Sequence, residues 1–79
     1  MMLKFKSGPF TEEVGEHNAR AIHERRILLG GKEWARAMAR ESAEGMDHYM
    51  KAASIVHGGP MFPYYHAYAR EMRRLAEAT

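Results

Sequence analysis

Histidines are the residues of this chain best suited to chemistry, because imidazole binds metals and transfers protons near neutral pH. No two of them stand three or four residues apart, the spacing that places two ligands on one helix face. Glu13 precedes His17 by four residues and Glu44 precedes His48 by four, but two ligands are too few for structural zinc. We therefore expect surface histidines and predict no metal and no cofactor, with a histidine-based metal-dependent enzyme as an alternative. The five are His17, His23, His48, His57 and His66.

Hydrolase and nucleotide-binding motifs do not occur in the chain. Its serines, Ser7, Ser42 and Ser54, lie in no G-x-S-x-G setting. The pairs Gly30-Gly31 and Gly58-Gly59 follow helical segments, whereas a phosphate-binding glycine loop joins a strand to the start of a helix. We interpret these pairs as helix ends and expect a protein that is not an enzyme.

A basic stripe begins the second helical segment, where Lys32, Arg36 and Arg40 recur every four residues. Cations near a helix N-terminus oppose the helix dipole, so local helix stability does not explain them. Contact with an acidic protein surface or with phosphates would explain them. With Arg20 or Arg26, the stripe supports nucleic-acid binding as an alternative function. The net charge of only +2 and the mixed signs along the chain argue against that alternative.

Large aromatic and apolar side chains mark a candidate protein-binding surface. Trp, Tyr, Met and Arg are enriched at the centres of protein interfaces. We expect most of these side chains to lie in the core and a minority to contact a partner. The predicted partner-binding residues are Trp34, Lys32, Arg36, Arg40, Ile55, Phe62, Tyr64 and Tyr65.

Helical periodicity predicts three helices over residues 11–29, 32–57 and 62–78. Thr11 is a good N-cap, followed by two glutamates that favour the dipole, and Gly30 is the expected C′ residue. Leu3 and Phe5 alternate with Met2, Lys4 and Lys6, a spacing that predicts an extended arm or a short strand over residues 1–10. The fold class is therefore mainly α, a small bundle of three helices with an N-terminal arm. The short connection after the second helix predicts that helices two and three form an antiparallel pair.

The first helix has an irregular apolar stripe. We expect it to face the bundle through Val14, Ala21, Ile22, Leu28 and Leu29. Asn18 and Arg25 fall inside the same stripe. We interpret both as structural: either the apolar stripe is narrower than these positions suggest, or Arg25 extends past the apolar surface or pairs with a buried acid. A partner-binding role is the alternative.

Length and composition limit the remaining possibilities. The chain of 79 residues suits one domain, and the absence of cysteine excludes disulfides and thiolate zinc sites. A core of this size is marginal alone, so we predict a homodimer. Without a signal-peptide pattern or a long apolar run, we expect a cytoplasmic protein that does not enter a membrane.

The function predicted from these features is a small protein-binding module. Its partner would be a protein or a protein–nucleic-acid complex. Because phage and mobile-element genes encode many small inhibitors, an inhibitor of a nucleic-acid-processing complex is the narrower expectation.

Overall fold

A computed structural model describes residues 11–56 and 62–79 of the chain, with side chains described for 11–52 and 63–79. It contains α1 (Glu12–Gly30), α2 (Lys32–Val56) and α3 (Phe62–Ala78). The three helices pack into one small bundle, which confirms the predicted fold class. The predicted arm, residues 1–10, and His57 lie outside the described residues. None of the described helices has the length and apolar character that spanning a membrane requires.

Both ends of α1 follow from local backbone chemistry. At the start, the Thr11 hydroxyl oxygen accepts a hydrogen bond from the Val14 amide at 3.2 Å. At the end, the helix continues through Gly30, and Gly31 is the cap, one residue later than expected. Gly31 has φ 92° and ψ 166°, a conformation that is essentially restricted to glycine. Its amide donates to the Ile27 carbonyl at 2.9 Å and so satisfies one of the last helical acceptors.

Gly31 also begins α2. Its carbonyl oxygen accepts from the Ala35 amide at 3.0 Å, which is the first hydrogen bond of the new helix. One residue therefore closes α1, opens α2 and reverses the direction of the chain. We call this connection, with the helix ends on either side of it, the α1–α2 hairpin.

The third helix packs against both other helices, which contact each other less extensively. Along α1, the contacts advance in the same direction as along α3: Asn18 meets Tyr64, Arg20 meets Glu71, and His23 meets Thr79. These two helices are parallel. Along α2 the order is reversed, since Asp47 pairs with Arg73 and Tyr49 packs on Tyr65. The predicted antiparallel pairing of α2 and α3 is confirmed.

Alanine dominates the core. The buried apolar side chains are Ala19, Ala35, Ala39, Ala43, Met50, Ala67, Ala69, Met72 and Ala76. Small residues let helix backbones approach closely, whereas large side chains hold them further apart. Met72 is the largest fully buried side chain of those described. Tyr49, on α2, is 52% exposed.

The predicted buried face of α1 is wrong for Ala21, Leu28 and Leu29, whereas Ile22 does pack against the core. Gly15, Ala19 and His23 are its buried residues, whereas Leu28 is 86% and Leu29 76% exposed. At about 100° per residue, the buried face lies roughly a third of a turn from the predicted stripe. The reason is the close approach of α3: a Cβ atom on Gly15 would lie 2.5 Å from the Tyr64 carbonyl oxygen. Only the face of α1 that carries small residues fits against α3 at this distance.

We therefore predict that Gly15→Ala lowers the free energy of unfolding by about 1–3 kcal/mol, because the added methyl group overlaps backbone that cannot move cheaply. Gly45→Ala is the matched control, since a Cβ on Gly45 meets nothing within 4 Å. Because alanine is the better helix former, this control should gain up to about 1 kcal/mol. Urea denaturation followed by circular dichroism measures both. A shift in the same direction for the two variants would contradict the packing of α1 on α3.

Candidate functional site

The buried carboxylate of Glu71 lies between α1 and α3 and is held by two arginines. It accepts hydrogen bonds from Arg20 at 3.2 Å and from the Arg74 Nε at 3.1 Å. The bond from Arg74 is the main cause of a lowered Glu71 pKa, and the Arg20 bond adds to it against the opposing effect of burial. A paired, ionised carboxylate of this kind fastens two helices together. Glu71 is thus a structural residue, and its buried position was not expected from the sequence.

The tyrosines also connect helices. Asn18 Nδ2 donates to the Tyr64 hydroxyl at 2.8 Å, which explains the polar residue in the α1 stripe as structural, as expected. Tyr64 stacks on Tyr68 with ring centroids 6.2 Å apart, and Tyr65 meets Tyr49 edge-on at 5.2 Å. A shallow cleft of about 420 Å³ lies between α2 and α3 beside Tyr49, Tyr65 and Tyr68. Of the predicted partner-binding residues, Tyr64 and Tyr65 are therefore already used in packing.

His23 is buried at 3% exposure, so the expectation that the histidines lie on the surface is wrong here. Its Nε2 lies 2.7 Å from the Thr79 hydroxyl oxygen. The Thr79 hydroxyl donates to the Leu75 carbonyl, so its oxygen accepts from a protonated Nε2. Nδ1 is then the unprotonated nitrogen, and it has no hydrogen-bond partner in the described part of the chain. Burial, followed by the charge of Arg26, lowers the pKa of His23, with Glu24 opposing.

Across residues 11–56 and 62–79, His, Asp and Glu side chains do not gather in groups of three at metal-binding distance. Glu44 and His48, spaced by four in the sequence, border a shallow surface cleft together with Asp47 and Lys51. The histidine-based metal site of the sequence analysis has no candidate among these residues.

Three large apolar side chains are exposed together at the turn of the α1–α2 hairpin. Leu28 is 86%, Leu29 76% and Trp34 45% exposed. We call these three residues the hairpin tip. The Trp34 ring covers Gly30, where a Cβ atom would overlap its Cε3 and Cδ2 atoms. Gly30 thus positions an exposed tryptophan on the last turn of α1.

The hairpin tip extends past the end of α3. His23 already contacts Thr79, so the last two turns of α1 continue beyond the third helix. Arg40 borders a cleft with Ala76 and Glu77, so the first two turns of α2 do the same. The tip is therefore held by two helices joined through a single residue.

The basic stripe lies on the same half of the hairpin. Lys32 and Arg40 are exposed and Arg36 is half-buried. Among the described residues, no hydrogen bond or ion pair involves these three side chains. Arg20, in contrast, pairs with Glu71, and Arg26 donates to the Ser42 hydroxyl.

The predicted partner-binding residues fall into two groups. Lys32, Trp34, Arg36 and Arg40 lie on the first half of α2. Tyr64 and Tyr65 lie on α3. Tyr65 packs on Tyr49, which is fifteen residues after Trp34 and therefore roughly 22 Å further along α2. The side chains of Ile55 and Phe62 lie outside those described.

Known protein families, curated proteins and solved structures give no match to this chain.

We predict that acid lowers stability through His23. In the unfolded chain this histidine protonates at its ordinary pKa of 6.5, whereas the folded protein resists protonation to lower pH. Its contribution is complete above the ordinary value and declines as the pH falls towards the lowered pKa. Thermal unfolding across a pH series should show this loss in the wild type and in His17→Gln. It should be reduced in His23→Gln, which keeps a donor for Thr79.

An NMR titration of the wild-type imidazole protons provides a readout that does not depend on a variant folding. A His23 pKa at or above the ordinary histidine value would contradict the assignment.

Proposed function

We propose that this protein is a non-enzymatic protein-binding module and that the hairpin tip contacts the partner. The observation that carries the proposal is the joint exposure of Leu28, Leu29 and Trp34 at one end of the bundle. Single exposed apolar side chains are ordinary, but a group of large ones at one place is typical of an interaction surface.

The energetics favour binding at this position. Burying a leucine side chain contributes about 1.5–3 kcal/mol, and tryptophan is among the residues most often central to an interface. Two helices joined by Gly31 hold the tip, and the Trp34 ring is placed by Gly30. Because helical backbone carries these side chains, little backbone entropy is lost when a partner covers them.

The finer expectations stand with this proposal. They are a cytoplasmic location, a homodimer, and inhibition of a nucleic-acid-processing complex. Light scattering at micromolar concentration tests the dimer.

We predict that Leu28→Ser with Leu29→Ser weakens capture of the partner at least about tenfold, equivalent to roughly 1.4 kcal/mol. The measurement is affinity capture from the native host, with the captured protein identified by mass spectrometry and its affinity then determined with purified protein. Tyr49→Ser is the matched control, because Tyr49 is a comparably exposed large side chain on another surface. It should retain the same identified partner.

Circular dichroism confirms that each variant is folded. If the leucine variant binds as tightly as the wild type while Tyr49→Ser loses the partner, the interface lies at the tyrosine cleft and our assignment of the tip is wrong.

Nucleic-acid binding is the second candidate, and one observation favours it. Lys32, Arg36 and Arg40 make no ion pair within the described residues, whereas the α3 arginines Arg70, Arg73 and Arg74 each contact a carboxylate. Unpaired cations on one helix can contact phosphates. The arginines expected to assist, Arg20 and Arg26, are engaged within the bundle.

For this candidate we expect a gel shift whose affinity falls steeply with salt, because phosphate contacts release counterions. Replacing Lys32, Arg36 and Arg40 by alanine should weaken the retarded band and reduce the salt slope by about one per lost contact. A gel without a retarded band at low salt would eliminate nucleic-acid binding.

A further inference from the structure

A groove of about 330 Å³ runs along one side of α1 and is lined by Ala21, Ile22, Arg25, Arg26 and Leu29. These positions are three, four and seven residues apart, so they share one side of the helix. We call this surface the α1 groove. Its floor is aliphatic, the charged side chains among its described lining residues are two arginines, and Leu29 makes it continuous with the hairpin tip.

Neither arginine of the α1 groove contacts a carboxylate among the described residues. Arg25 takes part in no hydrogen bond or ion pair there, and Arg26 donates only to the Ser42 hydroxyl at 3.0 Å. Four other arginines, Arg20, Arg70, Arg73 and Arg74, are ion-paired, whereas Arg36 and Arg40 of the basic stripe are not ion-paired within the described part of the chain.

The sequence around Arg25 explains its lack of a partner. The residues three and four positions away are Ala21, Ile22, Leu28 and Leu29, so no glutamate or aspartate stands at the spacing that would pair with it along the helix. Arg25 is also exposed, which rules out the buried acid suggested by the sequence. An arginine surrounded by leucine, isoleucine and alanine on a solvent-facing side is left for a ligand outside the bundle.

Arg26 complements Arg25 because its position is fixed. Ser42 on α2 accepts one of its N–H groups, and the side chain is half-buried. A guanidinium carries five donors in a planar fork that matches a carboxylate. The donors that Ser42 does not use are available to an acid arriving from outside.

We propose that the α1 groove binds an acidic amphipathic segment of a partner protein, whose apolar side chains pack on Ile22 and Leu29 while its carboxylates pair with Arg25 and Arg26. This inference rests on the proposed function, since it specifies the chemistry of the partner. Charge complementarity selects the acid, and the aliphatic floor selects the amphipathic character.

A second copy of the chain is the weaker occupant. Two copies related by a two-fold axis at this groove would bring Arg25 and Arg26 of one copy towards the same residues of the other. The resulting like-charge contact opposes association.

The test uses the full chain and a synthetic helical peptide of about four turns, with leucines on one face and glutamates beside them. The matched probe replaces every glutamate by lysine. Affinities come from fluorescence anisotropy, and the binding surface comes from NMR chemical-shift changes. We expect the acidic peptide to bind at least about tenfold more tightly than the lysine peptide, with the largest shifts at Ala21, Ile22 and Leu29.

Charge reversal sharpens the test. Arg25→Glu should weaken the acidic peptide about tenfold or more and strengthen the lysine peptide. Lys51→Glu, an exposed cation on the distant half of α2, is the control and should leave both affinities within about twofold, or roughly 0.4 kcal/mol. Leu29→Ser should weaken the acidic peptide without reversing the charge preference.

Four results would overturn the inference. They are equal affinity for both peptides, shifts confined to another surface, a dimer in sedimentation that Leu29→Ser dissociates, and tight binding of phosphatidylserine vesicles when neither peptide binds. If the partner identified by capture depends on Leu28 and Leu29 but not on Arg25, the binding function stands and the acidic-segment inference fails. If capture does not depend on the tip, the proposed function fails independently of the peptide result.

Discussion

The approach of α1 to α3 at Gly15 and Ala19 determines which side of α1 is available to solvent. At Gly15 the two backbones are so close that a single methyl group would overlap the Tyr64 carbonyl. Helices this close have room between them only for glycine and alanine, so the leucines of α1 cannot share that interface. Leu28 and Leu29 emerge beyond the end of α3 at the hairpin tip, and the α1 groove runs from Leu29 back along α1. The tight α1–α3 interface and the exposed apolar surface of α1 thus have one cause, the way α1 packs on α3.

Charged side chains also differ between the α3 interfaces and the part of the hairpin that extends past α3. Where α3 contacts its neighbours, arginines meet acids: Glu71 holds Arg20 and Arg74, and Asp47 pairs with Arg73. On the part of the hairpin that extends past α3, Arg25, Lys32 and Arg36 have no such partner among the described residues. Partly screened pairs of the first kind add modestly to stability. Unpaired cations beside exposed leucines add little to the fold, which is why we assign them to recognition.

Local signals in the sequence predicted the helices well. The Thr11 cap, the double glycine and the periodicity of α2 and α3 each depend on residues close together in the chain, and α3 has the bounds expected. The buried face of α1 was not predictable in the same way, because hydrophobic periodicity counts large apolar residues while this interface uses Gly15 and Ala19. His23 was missed for a related reason. Its burial comes from Thr79, at the far end of the sequence, which no pattern within α1 could indicate. For the candidate site, the sequence predicted Trp34 as a contact residue, which stays a prediction, and singled out Arg25 as an anomaly. That both side chains are exposed follows only from the packing of the helices.

The single-residue joint at Gly31 has a consequence for how this chain tolerates change in length. Because α2 begins directly after it, adding or removing one residue there would turn every side chain of α2 by about 100° around its axis. Trp34 would no longer cover Gly30, and Ser42 would no longer accept a hydrogen bond from Arg26. The alanines of α2 would rotate out of the core together. Most helical hairpins absorb insertions in their loop, but here the loop is one residue whose φ of 92° favours glycine. The length of this connection and the identity of its one residue are therefore constrained together. Variation on the surface of this protein is expected at other positions.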